Sequence, residues 1–457
     1  MTKRIMLILG PVAALLLWRQ LGAMGVDEMV ARTAAITLLT AIWWITEALP
    51  IPATSLIPFA AFPLAGVLTH QQAAGALGSH VIVLLMGAFM LSKALERSGV
   101  HERFALMMIR AVGGRGGGRL VLAFMLTAAI LSMWISNTAT TLMLLPIATA
   151  ILAHTTNARL KVILLLAIAY SASVGGVGTP IGTTPNVLFL GVYQEINGTE
   201  YGFVNWMKTG VPVAILSIPL MALWLMRGLG KGEPVELPES GKWRKEELRV
   251  LLVFAFAILA WVTRGSPESW GWAKWLGIST AGDSTVALAA AVLMFLVPDG
   301  KGSRLLDWET AGSIPWGVLL LFAGGIAIAR AFDASGLSQI LGQSLIGLSA
   351  LPVLLMMFAL ALSVSFLTEI TSNTATTALL MPILAAAAAG AGVQPELFMI
   401  PAAISASCAF MLPVATGPNA IVYATNTIRM GSMMREGIVL NFIIAAVVAI
   451  VSYVTLT

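Results

Sequence analysis

Charge is what this chain lacks most. Only 10% of its 457 residues are Asp, Glu, Lys or Arg, against about 25% in a soluble domain. A chain so poor in charge cannot cover a water-facing surface, which excludes a soluble globular protein. Cysteine is nearly absent: Cys408 stands alone, so no intrachain disulfide can form. Its flank, SASCAFML, is small and apolar, which reads as a packing thiol and not a redox centre. The four histidines, His70, His80, His101 and His154, fall near expected span ends without ligand spacing, so no metal centre of the zinc type is expected. The period-2 alternation of barrel strands is missing too. What is present is apolar sequence, 58% of the residues, in recurring runs near the roughly 20 residues that cross a bilayer. Backbone polar groups in lipid must be paired within the protein, so these spans are helices. The fold class expected is an all-α polytopic membrane protein. The net charge of +5 reads as loops held on the cytoplasmic side, and no nucleic-acid partner is expected.

The N-terminal MTKRIMLILGPVAALLLW resembles a signal peptide without a clear cleavage site, and is read as an uncleaved first span. About eleven spans and two re-entrant hairpins are expected. The first four lie near 5–22, 30–49, 52–68 and 80–96. Val100, Phe104, Met107 and Met108, among Arg103 and Arg110, suggest a helix lying flat in the interface. An inner hairpin at 120–155 is broken at Ser136-Asn137-Thr138. A fifth span from Leu160 is broken by the glycines and prolines of SVGGVGTPIGTTPN, and a sixth lies near 210–227. The polar stretch at 228–248 is a cytoplasmic linker. Spans near 249–263, 284–298 and 314–331 follow, then an outer hairpin at 350–389, a tenth span broken at LPVATGPN, and a last one near 437–455.

The second half repeats the first. The word SNTATT starts at Ser136 and again at Ser372, 236 residues on. The breaks end in Pro-Asn at Asn186 and Asn419, 233 residues apart, and the connectors KALERSG and ARAFDASG keep nearly the same offset. A nearly constant offset over three landmarks is an internal repeat. The expected organisation is a first helix within 1–29, one repeat over 30–227 and a second over 249–457. With the hairpins returning to their own side, the Lys and Arg clusters fall on one face, which is then cytoplasmic. The N-terminus is inside, the C-terminus outside, and the two repeats are inverted, as in secondary transporters.

Non-helical backbone at membrane depth is tolerated only where it is buried in protein or lines a cavity. Ser-Asn-Thr at a hairpin tip offers two hydroxyls and an amide. The helix that follows presents free N–H groups and a positive dipole end to an anion. The half-helix before it ends in carbonyls that suit a hard monovalent cation. A single Ser-Asn-Thr reads as easily as a helix cap or as glue between helices. Two copies at equivalent repeat positions, each followed by a helix broken at Pro-Asn, point to a site.

Both SNT hairpins, ASVGGVGTPIGTTPN (Ala172–Asn186), LPVATGPN (Leu412–Asn419) and WITEALPIPATSLIP (Trp44–Pro58) resemble the divalent anion/sodium symporter family, over nearly the whole chain. The resemblance implies a homodimer in the bacterial inner membrane, with a fixed scaffold and a mobile domain that moves as an elevator. It implies a di- or tricarboxylate substrate and Na⁺ as the coupled ion. It places Ser136, Asn137 and Thr138 on one carboxylate and Ser372, Asn373 and Thr374 on the other, with Thr183, Thr416 and Gly417 in the same pocket. The first Na⁺ site would use Ser132, Ser136, Asn137 and the backbone of Gly182; the second, Thr368, Asn373 and the backbone of Ala415. Thr184 and Gly417 stand where the family often has proline, so pocket shape, and the choice among dicarboxylates, citrate and sulfate, is left open.

Glu47 and Glu369 are acidic residues in apolar sequence, and such residues are functional candidates. Glu47, at a span end, reads as structural or interfacial. Glu369 either tunes the second cation site or pairs with a basic residue of the scaffold. Arg330 is expected to snorkel. Asn197-Gly198-Thr199 matches a glycosylation sequon, a motif common by chance. The thirteen tryptophans fall mostly near span ends, as an interface belt requires. The alternatives to a Na⁺ symporter are a Na⁺-independent exchanger or sulfate carrier of the same fold, an oxyanion pump partner of the arsenite type, a channel, and an intramembrane enzyme. Neither a charged pore ring nor a catalytic cluster is visible in the sequence.

Overall fold

A computed structural model describes residues 2–112, 116–153, 155–229, 243–265, 271–278, 280–344 and 352–457. His154, Arg115 and most of the expected linker, with Lys231 and Lys242, lie outside the described residues, as do residues 350 and 351 of the expected outer hairpin. The described residues are helical, with a single isolated bridge between Pro298 and Arg304. Nine helices among them are long and apolar enough to cross a membrane, and five shorter apolar ones accompany them.

The first half begins with α1 (Thr2–Ala23), α2 (Glu28–Thr46), α3 (Ile51–Thr54), α4 (Ile57–Leu64), α5 (His70–Gly75) and α6 (His80–Ser98). It continues with α7 (Val100–Val112), α8 (Gly117–Ser132), α9 (Asn137–Ala153), α10 (Ala158–Gly176), α11 (Thr184–Asn197) and α12 (Phe203–Met226). The second half has α13 (Lys245–Thr263), α14 (Trp272–Trp275), α15 (Asp283–Leu296), α16 (Trp308–Gly312), α17 (Trp316–Ser335) and α18 (Leu337–Ser344). It ends with α19 (Val353–Ile370), α20 (Asn373–Ala391), α21 (Glu396–Ala406), α22 (Gly417–Tyr423) and α23 (Met430–Leu456).

One expected span is not a single helix. Residues 52–68 form the short α3 and α4, separated at Ser55 and Leu56, with a proline in the first turn of each. A proline has no N–H to give and is best tolerated in the first turn, so each one here starts a helix instead of continuing the last. The segment expected to lie in the interface forms the helix α7, with Val100, Ala105 and Ile109 buried.

The helices sort into two sets by packing. In one, α6 packs on α13 and α15, and α17 on α2, α3, α4 and α5, while α17 also packs on α11 and α20 of the other set. In the other, α10 packs on α8, α9 and α12, α11 on α20 and α21, and α23 on α12, α19 and α21. The second set carries both hairpins and both broken helices. Small residues allow the close approach that drives helix association in lipid. A Cβ on Gly175 would lie 2.3 Å from Ala129 O, and one on Gly390 would lie 2.1 Å from Gly342 O.

Candidate functional site

Each hairpin turns at its Ser-Asn-Thr. Ser136 and Ser372 cap the helices that follow, accepting from Ala139 N at 3.2 Å and Ala375 N at 3.4 Å. One turn on, Thr141 and Thr377 donate to the carbonyls of Asn137 and Asn373 at 2.8 and 2.7 Å. The bland reading of the motif, a helix cap, is thus part of what the serines do.

The two breaks are built alike. Asn186 Nδ2 donates to Gly176 O at 3.0 Å and Thr179 O at 2.7 Å, ten and seven residues back. Asn419 Nδ2 donates to Ala409 O at 3.0 Å and Leu412 O at 3.1 Å, again ten and seven residues back. Each asparagine amide replaces the N–H donors that the interrupted helix cannot supply.

Tips and breaks then cross. Thr184 of the first break and Thr374 of the second tip share a hydroxyl–hydroxyl bond of 2.8 Å. Gly417 of the second break lies against Thr138 of the first tip, where a Cβ would come within 2.4 Å of Oγ1. A cavity of about 710 Å³ lies at this crossing. Its lining includes Ser136, Asn137, Thr138, Thr183, Ser372, Asn373, Thr374, Thr416 and Gly417, and the Gly182 and Ala415 expected to offer backbone ligands. The first turns of α9, α11, α20 and α22 all border it. The charged residues in the lining are Glu47, Lys93 and Glu96, so the centre is neutral and rich in donors.

Ser132 and Thr368 are fully buried outside the cavity lining. Ser132 Oγ lies 2.5 Å from Asn137 Oδ1, and the carbonyl oxygens of Ala172 and Gly182 lie 3.2 and 3.3 Å from the same amide position. Three oxygens, Ser132 Oγ and the Ala172 and Gly182 carbonyls, therefore converge on the Asn137 amide, whose NH₂, with the amide turned over, can share its two hydrogens among them. Asn373 Oδ1 is buried with no hydrogen-bond partner among the described residues. Thr368 Oγ1 lies within bonding distance of the carbonyls of Val364 and Ser365, at 3.0 and 3.1 Å, which leaves its lone pairs free.

One of the two alternatives for Glu369 is corrected. Among the described residues Glu369 meets no basic residue of the scaffold: Phe410, Met411 and Leu412 donate their N–H groups to its carboxylate at 2.7–3.0 Å, and Asn441 Nδ2 joins them at 2.8 Å. The unwound backbone there needs acceptors, and this carboxylate supplies both oxygens. Arg330, expected to snorkel, pairs at two points with Glu195. Glu47 ends α2 with φ 46° and pairs with Lys3 at 3.2 Å. Thr184, singled out only for standing in place of a proline, bonds Thr374; the residues that sequence reasoning missed are Ser407, which meets Thr183 at 3.2 Å, and the carbonyl of Ala172. Thr184 was marked by the doubled threonine before Pro-Asn; a carbonyl ligand leaves no side-chain signal.

A family model described as "Citrate transporter" matches residues 41–399. The sodium-dependent dicarboxylate transporter SdcS of Staphylococcus saprophyticus is 38% identical over 98% of this chain and 90% of its own length, and SdcS of Staphylococcus aureus matches to the same extent. This chain belongs to the citrate transporter family. It is a multi-pass membrane protein of a transporter family, as the motifs led us to expect. The fold of this family member is also found in the YdaH transporter of Alcanivorax borkumensis, with a TM-score of 0.62 at 13% identity over 91% of this chain and 97% of that one. MtrF of Neisseria gonorrhoeae gives 0.60 at 16% identity over 86% and 84%.

Proposed function

We propose that this protein is a secondary carrier that moves di- and tricarboxylates, such as succinate, malate, fumarate and citrate, across the cytoplasmic membrane together with Na⁺. The observation that carries this reading is the crossing of two equivalent tips with two equivalent breaks around one cavity. Ser136-Asn137-Thr138 faces one carboxylate of the substrate and Ser372-Asn373-Thr374 the other, with Thr183 and Thr416 beside them. N–H groups at the helix starts complete a neutral cradle in which hydrogen bonds to a charged acceptor are strong. Neutral donors hold a dianion without burying a fixed counter-charge, and release it once its cations leave.

Na⁺ travels as cargo in this reading. Ser132, Ser136, Asn137 and the Gly182 carbonyl form the first cation site, to which the Ala172 carbonyl is a natural addition. The convergence of oxygens on the Asn137 amide supports it. Thr368, Asn373 and the Ala415 carbonyl form the second, and the unpartnered Asn373 Oδ1 supports that. Ion and anion share both asparagines, which couples their binding. The Na⁺ dependence in the name of the staphylococcal relatives supports the same choice.

The two packing sets divide the work: α2–α6 and α13–α17 as scaffold, the hairpins and broken helices as a body that slides past it as an elevator. The matching bonds of Asn186 and Asn419 support the repeats at 30–227 and 249–457, inverted about the site, with the N-terminus inside. Lys93 and Glu96, next to the basic α6–α7 junction, border the cavity, which supports a cavity open to the cytoplasm. A homodimer in the inner membrane completes the reading.

The test is uptake of labelled succinate into proteoliposomes with and without an inward Na⁺ gradient, with internal succinate as a third arm. Uptake that requires the Na⁺ gradient is expected. Uptake that ignores Na⁺ and needs internal succinate would make the protein an exchanger and the oxygen cage a scaffold.

A further inference from the structure

The site cavity is lined where α11 begins and just before α17 starts, at Thr184 and Pro315. Following these helices away from it leads to a seam at the other end. Glu195 lies eleven residues along α11 from Thr184, about 16 Å at the helical rise, and Arg330 fifteen residues beyond Pro315, about 22 Å. There Arg330 Nε and Nη2 hold Glu195 Oε1 and Oε2 at 2.8 and 3.0 Å, while Nη1 donates to Gln72 O at 2.7 Å. Arg264, at the end of α13, reaches Glu200 at 3.3 Å and Asp283 at 2.7 Å. Asp283 Oδ2 in turn accepts from Phe203 N at 2.9 Å.

Every one of these bonds except that between Arg264 and Asp283 crosses between the two helix sets, or extends such a crossing to α5. Glu195, Glu200 and Phe203 belong to the α11–α12 segment, which packs with the site; Arg264, Asp283 and Arg330 belong to α13, α15 and α17. The paired side chains are shielded, Arg264 and Asp283 at 13% and 4% exposure and Glu195 and Glu200 at 27% and 28%. Fully exposed pairs contribute little; shielded two-point pairs contribute more. A cavity of about 660 Å³ reaches Glu200, Arg264 and Asp283 at this end of the seam. Beside these ionic bonds the seam carries apolar contacts, the buried Phe203 and Trp261 rings stacked at 4.9 Å and Ile326 close against Gly191.

We propose that Glu195 and Glu200, held by Arg330 and Arg264, form a latch that closes the end of the seam opposite the site cavity and holds the molecule in this conformation. The latch rests on the two-body carrier reading above. For the body bearing α11 and α12 to move past the scaffold, both carboxylates must leave their arginines. Presentation of the site at the opposite face is then limited by the share of molecules in which the latch is open. A ligand arriving at that face binds with an apparent affinity reduced by that share.

The test uses oriented proteoliposomes and measures succinate KM separately from each face. Wild-type protein that moves no succinate would overturn the carrier reading itself. Where the wild type does transport, Glu195→Gln with Glu200→Gln should lower KM from the Arg330 face about threefold or more and leave it unchanged or higher from the cavity face. A merely structural role would worsen both faces together. Should the double variant fail to fold, Glu195→Gln alone is read in the same way. The charge swap Glu195→Arg with Arg330→Glu should bring both values back to within about twofold of wild type. Equal change at both faces, no change, or a swap that behaves like the glutamine variant would each overturn the latch.

Discussion

The two halves build the same site by different means. In the first, glycines make the room: a Cβ on Gly182 would lie 2.4 Å from Gly176 O, and one on Gly176 would lie 2.4 Å from Asn137 Oδ1. At the equivalent positions, 233 residues on, the second half has Ala415 and Ala409, and Cys408 stands where the first has Gly175. The first break is tied to its hairpin by one hydroxyl, Thr179 Oγ1 donating to Met133 O at 2.5 Å. The second is held by Glu369, which occupies the repeat position of Met133 and accepts the N–H groups of residues 410–412. Close backbone contact in one half is thus replaced by a carboxylate clamp in the other. The repeat preserves the chemistry of the tips and leaves the support free to diverge.

The comparison breaks most severely at Glu369. Glu369→Gln keeps one acceptor and turns an NH₂ toward N–H donors, so at least one buried donor loses its partner. Each such loss costs about 1–3 kcal/mol. The variant should lose several degrees of thermal midpoint in detergent, with little folded protein recovered. Thr179→Val removes one bond from the first half and should cost only about 1 kcal/mol. Size-exclusion recovery and thermal scans of the two variants decide this; equal losses would show that the halves are supported alike.

Next in size come the asparagines. Asn137→Ala and Asn373→Ala should each abolish succinate uptake while leaving the elution profile and thermal midpoint near wild type, because each removes a ligand assigned to both ions. Near-normal uptake by both would sink the site assignment. Gly182→Ala comes third. Its Cβ has no room beside Gly176 O and Ser132 O, so the carbonyl at the first cation site must shift, and the apparent Na⁺ affinity should fall about tenfold, equal to about 1.4 kcal/mol. Ala415→Gly, its counterpart, adds no atoms and should move the Na⁺ titration little.

Much of this was legible in the sequence, and the reason is chemical. Ser-Asn-Thr and Pro-Asn are polar words in apolar sequence, so their repetition stood out, and the structure brings all four together. The apolar runs located most of the spans, because lipid requires a run of apolar residues whatever its neighbours are. The supports were not legible. Glu369 in apolar sequence announced a constraint but not its partners, which are backbone N–H groups some 41 to 43 residues on. Arg330 and Glu195 are 135 residues apart, and nothing local in either segment indicates the pairing. Residues 52–68 read as one span by hydropathy, yet Pro52 and Pro58 divide them into two short helices.

The smallest effect, and the sharpest test of the comparison, is at Thr184. Its hydroxyl meets Thr374 at 2.8 Å, and at the equivalent place Gly417 has no side chain to offer Thr138. In the proposed complex Thr374 must turn its proton toward the carboxylate, so Thr184 becomes the donor in the shared bond and fixes the Thr374 hydroxyl in its binding orientation. Thr184→Val keeps the shape and loses that donor, at a cost of about 0.5–1.5 kcal/mol. Succinate KM should rise about two- to tenfold with kcat nearly unchanged, and Thr184→Ser should retain the wild-type value. The variant leaves the second tip without a hydroxyl partner from the break it faces, the condition in which the first tip already works. The remaining affinity therefore measures what one oriented hydroxyl contributes, and an unchanged KM would mean that the two ends of the pocket hold their carboxylates equally.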